Sequence, residues 1–154
     1  MFELIDGFPL YTYYIGLLSQ FVLFPILAGF GHVPTFNIYF ITYLAKDVAY
    51  DMDAALIAHH VISIWGAYFF CNSPYLCFLI AVGEVGSGAY NTYTLAKHYD
   101  TYVGAAYVFY VVVMTLSNVY FVRGVVRHKI NFYYKIPVLA VVVGRQLFVP
   151  LPCR

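Results

Sequence analysis

Two adjacent histidines, His59 and His60, stand near the middle of the apolar run Asp53-Ala54-Ala55-Leu56-Ile57-Ala58-His59-His60-Val61-Ile62-Ser63-Ile64-Trp65-Gly66. Neutral imidazole takes up or releases a proton near pH 7, and it also binds metals. An ionisable side chain in so apolar a segment is costly to keep there, which marks it as a functional candidate. The plainer reading is a pair of buried histidines that tie helices together by hydrogen bonds. Adjacent positions on a helix point about 100° apart, so one histidine is expected to face a cavity and the other a neighbouring helix.

Carboxylates flank the pair in sequence. Asp47 ends the aromatic stretch Tyr39-Phe40-Ile41-Thr42-Tyr43-Leu44-Ala45-Lys46-Asp47, and Asp51 follows one turn later. Glu84, Ser87, Gly88 and Asn91 fall at i, i+3, i+4 and i+7, which is one face of a helix. Gly83, Gly86 and Gly88 remove side-chain bulk there, so another helix or a lipid chain can come close. These residue types suit proton transfer. A histidine acts as general base on an attacking amine or hydroxyl, with Asp47 or Glu84 orienting it, and Asn91 or Ser87 holds the substrate head. A histidine that itself acts as nucleophile and carries the transferred group is a variant of the same scheme. The catalytic candidates are therefore His59, His60, Asp47 and Glu84. Asn91, Ser87, Asp51 and Arg123 are the substrate-binding candidates. A metal or haem site is the weaker reading, because a helix offers ligands at i and i+3 or i+4, not at adjacent positions. Cys71, Cys77 and Cys153 are odd in number and lack metal-ligand spacing, so no bound metal or cofactor is expected.

The elements that must position these groups are membrane helices. Of 154 residues, 63% are hydrophobic and only 10% charged, against roughly 25% charged in an ordinary soluble domain. The net charge of +1 carries no signature of nucleic-acid binding. Aromatics reach 21%, which suits helix packing and interfacial belts. Hydrophobic runs and turn residues predict about six helices, each long enough to approach the roughly 20 residues a bilayer demands. They are expected near Pro9–Gly31, Thr35–Asp51, Asp53–Cys71, Tyr75–Lys97, Thr101–Arg127 and Phe132–Val149, in a single all-α domain over residues 1–154. Pro25 is expected to kink the first. Glu3 and Asp6 replace the basic start of a cleavable leader, so the first span is expected to be retained. Arg127, Lys129 and Lys135 between the last two helices outnumber Lys97 and Arg154 on the other side, which places that loop in the cytoplasm.

With about 1.5 Å of rise per residue, Asp47 and His59 fall about 18 Å below one surface, Glu84 about 15 Å and Arg145 about 20 Å. Four helices thus offer ionisable groups to one layer around a lipid-accessible polar cavity. Arg123 is expected about 7 Å deep on the same side, within side-chain reach of Glu84. The favoured expectation is a Glu84–Arg123 pair, and the alternative is an Arg123 that reaches for the headgroups.

In order and spacing, the Tyr39–Asp47 stretch, the run Leu56-Ile57-Ala58-His59-His60-Val61-Ile62-Ser63, the run Gly83-Glu84-Val85-Gly86-Ser87-Gly88-Ala89-Tyr90-Asn91 and Val119-Tyr120-Phe121-Val122-Arg123 resemble the TLC-domain membrane proteins, over roughly residues 10 to 150. That family includes the ceramide synthases and smaller TLC-domain-containing proteins. Ceramide synthases carry a His-Asp and a second Asp after the paired histidines. Gly83-Glu84-Val85-Gly86-Ser87 stands there instead, which is closer to the smaller branch. The short segment before His59 leaves Asp51 as an alternative to Asp47 for the family aspartate. The resemblance implies lipid metabolism in the endoplasmic reticulum or a related endomembrane. It implies transfer of a fatty acyl group from acyl-CoA, as co-substrate, to a lipid amine or hydroxyl, and leaves a homodimer open. The alternative is a non-catalytic protein that binds or senses a membrane lipid in the same cavity.

Overall fold

The computed structural model describes residues 3–48, 50, 54–129 and 132–147. Apart from one small hairpin, these residues are helical. The hairpin pairs β1 (Leu4–Ile5) with β2 (Phe8–Pro9), in the register Leu4↔Pro9 and Ile5↔Phe8. Asp6 and Gly7 make its turn, both with positive φ (50° and 84°), as a two-residue turn that follows the twist of the strands requires. Tyr13 donates its hydroxyl to the Ile5 carbonyl at 3.0 Å, which seats the hairpin on the first helix.

That first rod is continuous from Leu10 to Phe30. It consists of α1 (Leu10–Leu18), a π-helical turn over Ser19–Leu23 and α2 (Phe24–Phe30). Pro25 is the reason for the wide turn. It has no N–H to give to the carbonyl four residues back, and its ring crowds that carbonyl. A turn widened by one residue relieves the clash, so the expected kink takes the form of a π-bulge. Gly31 ends the rod in the left-handed conformation, φ 70°.

His32 caps α3 (Val33–Asp47), its Nδ1 facing the Thr35 backbone N–H at 3.4 Å and the Thr35 hydroxyl at 2.7 Å. This cap and Pro34 in the first turn start the helix two residues before the expected Thr35. The helix also stops at Asp47, short of Asp51, so Asp47 is an end residue and not a mid-helix one. Asp51 and Asp53 lie outside the described residues. The remaining helices are α4 (Ala54–Phe70), α5 (Pro74–His98), α6 (Val103–Arg127) and α7 (Phe132–Leu147), all near their expected bounds. Ser73 caps α5 by accepting the Leu76 N–H, with Pro74 in the first turn.

The core has two parts. Phe24 meets the rings of Phe36, Phe40 and Tyr43 with centroids 5.9, 5.4 and 5.3 Å away, which locks α2 against α3. Around Ala89, Tyr110 and Met114, α5 packs on α6 with Tyr93 and Tyr107 beside them. Glycines make the α5–α6 approach close. Leu79, fully buried, occupies the space over Gly124, where an added Cβ would collide with both of its methyl groups. Gly124→Ala should therefore lower stability by about 1–3 kcal/mol through overpacking. Gly104 has open space around it, so Gly104→Ala should leave stability unchanged or slightly higher. Thermal unfolding of the two variants in detergent measures the difference.

Two rods, Leu10–Phe30 and Val103–Arg127, are long and apolar enough to cross a membrane. The apolar parts of α4 and α7, Leu56–Phe69 and Lys135–Gly144, are shorter.

Candidate functional site

A cavity of about 770 Å³ opens between the first rod, α3, α4, α5, α6 and α7, towards the hairpin end of the bundle. Asp47, His59, His60, Glu84, Ser87 and Asn91 all line it. The sequence places these residues on three helices, and the fold brings them to one chamber.

α4 carries both histidines to the wall, with ring centroids 5.5 Å apart and an interplanar angle of 77°. One of the pair is expected to face the cavity and the other a neighbouring helix; in the structure both line the chamber, and His60 also faces Asp47 of α3. Their surroundings differ. His60 is 6% exposed, and its Nδ1 donates to the Leu56 carbonyl one turn back at 2.9 Å. A carbonyl can only accept, so this bond places the proton on Nδ1 and leaves the lone pair of a neutral ring on Nε2. That Nε2 lies 3.6 Å from Asp47 Oδ2. Asp47 uses its other oxygen, Oδ1, on the Lys46 ammonium, which also sits 4.5 Å over the Tyr43 ring. The C-terminal end of α3 thus holds a carboxylate between one cation and one imidazole. His59 is half-buried and borders a second cavity as well.

This second cavity is narrow and apolar, about 110 Å³, and runs towards the α4–α5 turn. Phe40, Ile62, Gly66, Leu79, Phe121 and Val138 are among its walls. His59, Glu84 and Val141 border both spaces, so the larger chamber and the apolar slot meet at an imidazole and a carboxylate.

Glu84 is buried, and its partner is not the expected one. Gln20 Nε2 donates to Glu84 Oε2 at 3.0 Å, and Gln20 Oε1 accepts from Asn91 Nδ2 at 2.8 Å. Arg123 is exposed and lines neither cavity. The expected Glu84–Arg123 pair is therefore replaced by a Glu84–Gln20–Asn91 chain. The reason is angular. Buried residues of α6 run through Tyr110, Met114, Ser117, Asn118 and Val125. Arg123, two positions before Val125, points about 200° away from it. The side chain of Arg145 lies outside the described residues; Asp47, the two histidines and Glu84 meet at one cavity.

Gln20, which lines the cavity and links Glu84 to Asn91, is the residue of this site that the sequence did not single out. It belongs to the π-turn, and it is only 3% exposed. Gly88 lets it approach: a Cβ there would lie 2.9 Å from the Phe21 ring and 3.3 Å from Gln20 Cβ. Gly16 does the same for Asn91, whose Nδ2 would lie 2.5 Å from an added Cβ. The signal was present as a lone amide five residues before a proline in an otherwise apolar span. Among the described residues, no three His, Cys, Asp or Glu side chains converge as a metal site would need. Comparison with protein-family models, curated proteins and solved structures finds no match to this chain.

Proposed function

We propose that this chain is a multi-pass membrane protein of lipid metabolism, of the TLC-domain type, that transfers a fatty acyl group from acyl-CoA to a lipid amine or hydroxyl. The observation that carries the reading is the joining of two spaces, a larger one with a cluster of polar groups on mainly apolar walls and a narrow one that is almost wholly apolar. The larger chamber, with Asp47, His60, Ser87 and Asn91 among its walls, abuts the apolar slot at His59 and Glu84. The volume of the chamber is within the roughly 300–1,000 Å³ of small-molecule sites, which are usually apolar with a few placed polar groups. An amphipathic ligand suits such a pair of spaces. Large apolar side chains on the outer surface, such as Phe30, Ile38, Leu116 and Val119, support a lipid surround and all six rods crossing or entering the bilayer. The endoplasmic reticulum and a homodimer belong to the proposal through the family resemblance alone.

The chemistry follows from His60. Its Nε2 lone pair takes the proton from the lipid amine or hydroxyl as that atom attacks the thioester carbonyl. The C–S bond of acyl-CoA then breaks, and the imidazolium returns its proton to the departing thiolate. The Asp47 carboxylate, on the Nε2 side, stabilises the imidazolium in between. Asn91 and Ser87 are placed to hold the head of the acceptor. The test is direct: protein in lipid nanodiscs, labelled acyl-CoA and a total lipid extract. Labelled lipid that forms with turnover supports the proposal. Lipid that co-purifies with the protein while no label transfers identifies a lipid-binding protein instead.

A further inference from the structure

We infer that Cys71 and Cys77 form a reversible thiol–disulfide site that takes a low-molecular-weight disulfide, of the glutathione type, as its oxidant. Both are free thiols, 5% and 1% exposed, and their Sγ atoms lie 3.1 Å apart. A movement of about 1 Å brings them to the covalent S–S distance of about 2.05 Å. The backbone holds them for that approach. Cys71 directly follows α4, with its N–H on the Ala67 carbonyl at 3.3 Å and its own carbonyl accepting from Asn37 Nδ2 of α3 at 2.8 Å. Cys77 sits in the first turn of α5, with its N–H on the Ser73 carbonyl at 3.2 Å. Three helices thus converge on the sulfur pair. A pair in mutual contact is also a different object from a single buried cysteine, which packs as a small hydrophobe.

Cys71 also lines the narrow apolar cavity, so a bond between the two sulfurs acts directly on its wall. One thiolate of the pair attacks one sulfur of the oxidant and releases the first glutathione thiolate. The other thiolate then attacks the sulfur of that mixed disulfide that belongs to the protein and releases the second. The two protons given up by the cysteines end on the two glutathione thiols, so one disulfide is reduced as the other forms. The new bond ties the end of α4 to the start of α5 and stiffens the floor of the slot. His128 at the end of α6 rests on Tyr75 with ring centroids 5.4 Å apart, so this floor lies at the end of the bundle that bears Arg127 and Lys129. With that end in the cytoplasm, the pair stays reduced until the glutathione pool becomes more oxidising.

The site needs no turnover for its test. Purified protein is equilibrated with mixtures of reduced and oxidised glutathione, quenched with an alkylating reagent, unfolded and mapped by mass spectrometry; diamide serves as a smaller oxidant. The expected result is a Cys71–Cys77 cross-link that appears in one two-electron transition, with mass lower by two hydrogens and reversal by reductant. The melting temperature should rise on oxidation, and that rise should vanish in both Cys71→Ala and Cys77→Ala. Full alkylation of both cysteines after both oxidants would overturn the inference, as would a cross-link that runs instead to Cys153 or to another chain.

Discussion

His60→Ala is expected to lower acyl transfer on the order of 10²–10⁴-fold, the usual contribution of a positioned general base, while His59→Ala costs far less. The two residues are neighbours in sequence; His60 has its tautomer set by a backbone carbonyl and its Nε2 beside a carboxylate. His59 borders both cavities, so its loss reshapes the junction without removing the proton acceptor. Asp47→Asn keeps the side-chain shape and removes the charge that stabilises the imidazolium, so it should fall between the two. Lys46→Met acts in the same place from the other side: it frees Asp47 from its ammonium partner and should impair transfer least. Initial rates at equal folded protein rank the variants. Equal, mild losses for both histidines together with lowered melting temperatures would assign them a packing role instead.

The second large effect concerns the buried amide chain. Gln20→Leu deletes the donor to Glu84 and the acceptor for Asn91 in one step. An unsatisfied buried polar group costs about 1–3 kcal/mol, and more when it is charged. Thermal stability in detergent should therefore fall sharply for Gln20→Leu. Glu84→Gln keeps a hydrogen-bonding partner at that position and should cost less. In a Glu84→Leu background the Gln20→Leu step should cost much less than in the wild type, because no carboxylate is left to strand. Strictly additive losses across this cycle would show that the two side chains do not meet. Gly88→Ala offers an independent check, since its Cβ pushes on Phe21 and Gln20 and should disturb the same chain without touching a polar atom.

Much of this was legible in the residues themselves. The apolar runs and the turn residues Gly31 and Ser73-Pro74 outline the helices, because capping and proline chemistry act locally. The i, i+3, i+4, i+7 face of α5 correctly puts Glu84, Ser87 and Asn91 on one wall. What local patterns could not supply was partner choice. Glu84 and Arg123 looked within side-chain reach of each other, but the rotation of α6 about its own axis sends Arg123 outward. That rotation is set by packing of Gly124 on Leu79 and of Met114 and Tyr110 on α5, all contacts between distant segments. Gln20 reaches Glu84 only because Pro25 widens the turn before it, an effect of backbone geometry that hydropathy does not register. The hairpin was missed for a simpler reason. Its Asp6-Gly7 turn is a strong signal, but each strand has only two residues and shows no alternation.

Lipid composition in living cells tests the central claim most directly. Cells expressing the wild-type chain are compared with cells expressing the His59→Ala, His60→Ala double variant at equal protein level, and total lipids are profiled by mass spectrometry. The expected result is an acylated lipid pool that rises with the wild type and disappears in the double variant, with its acyl chains traceable to fed labelled fatty acid. Indistinguishable lipid profiles at equal levels of folded protein would contradict the account.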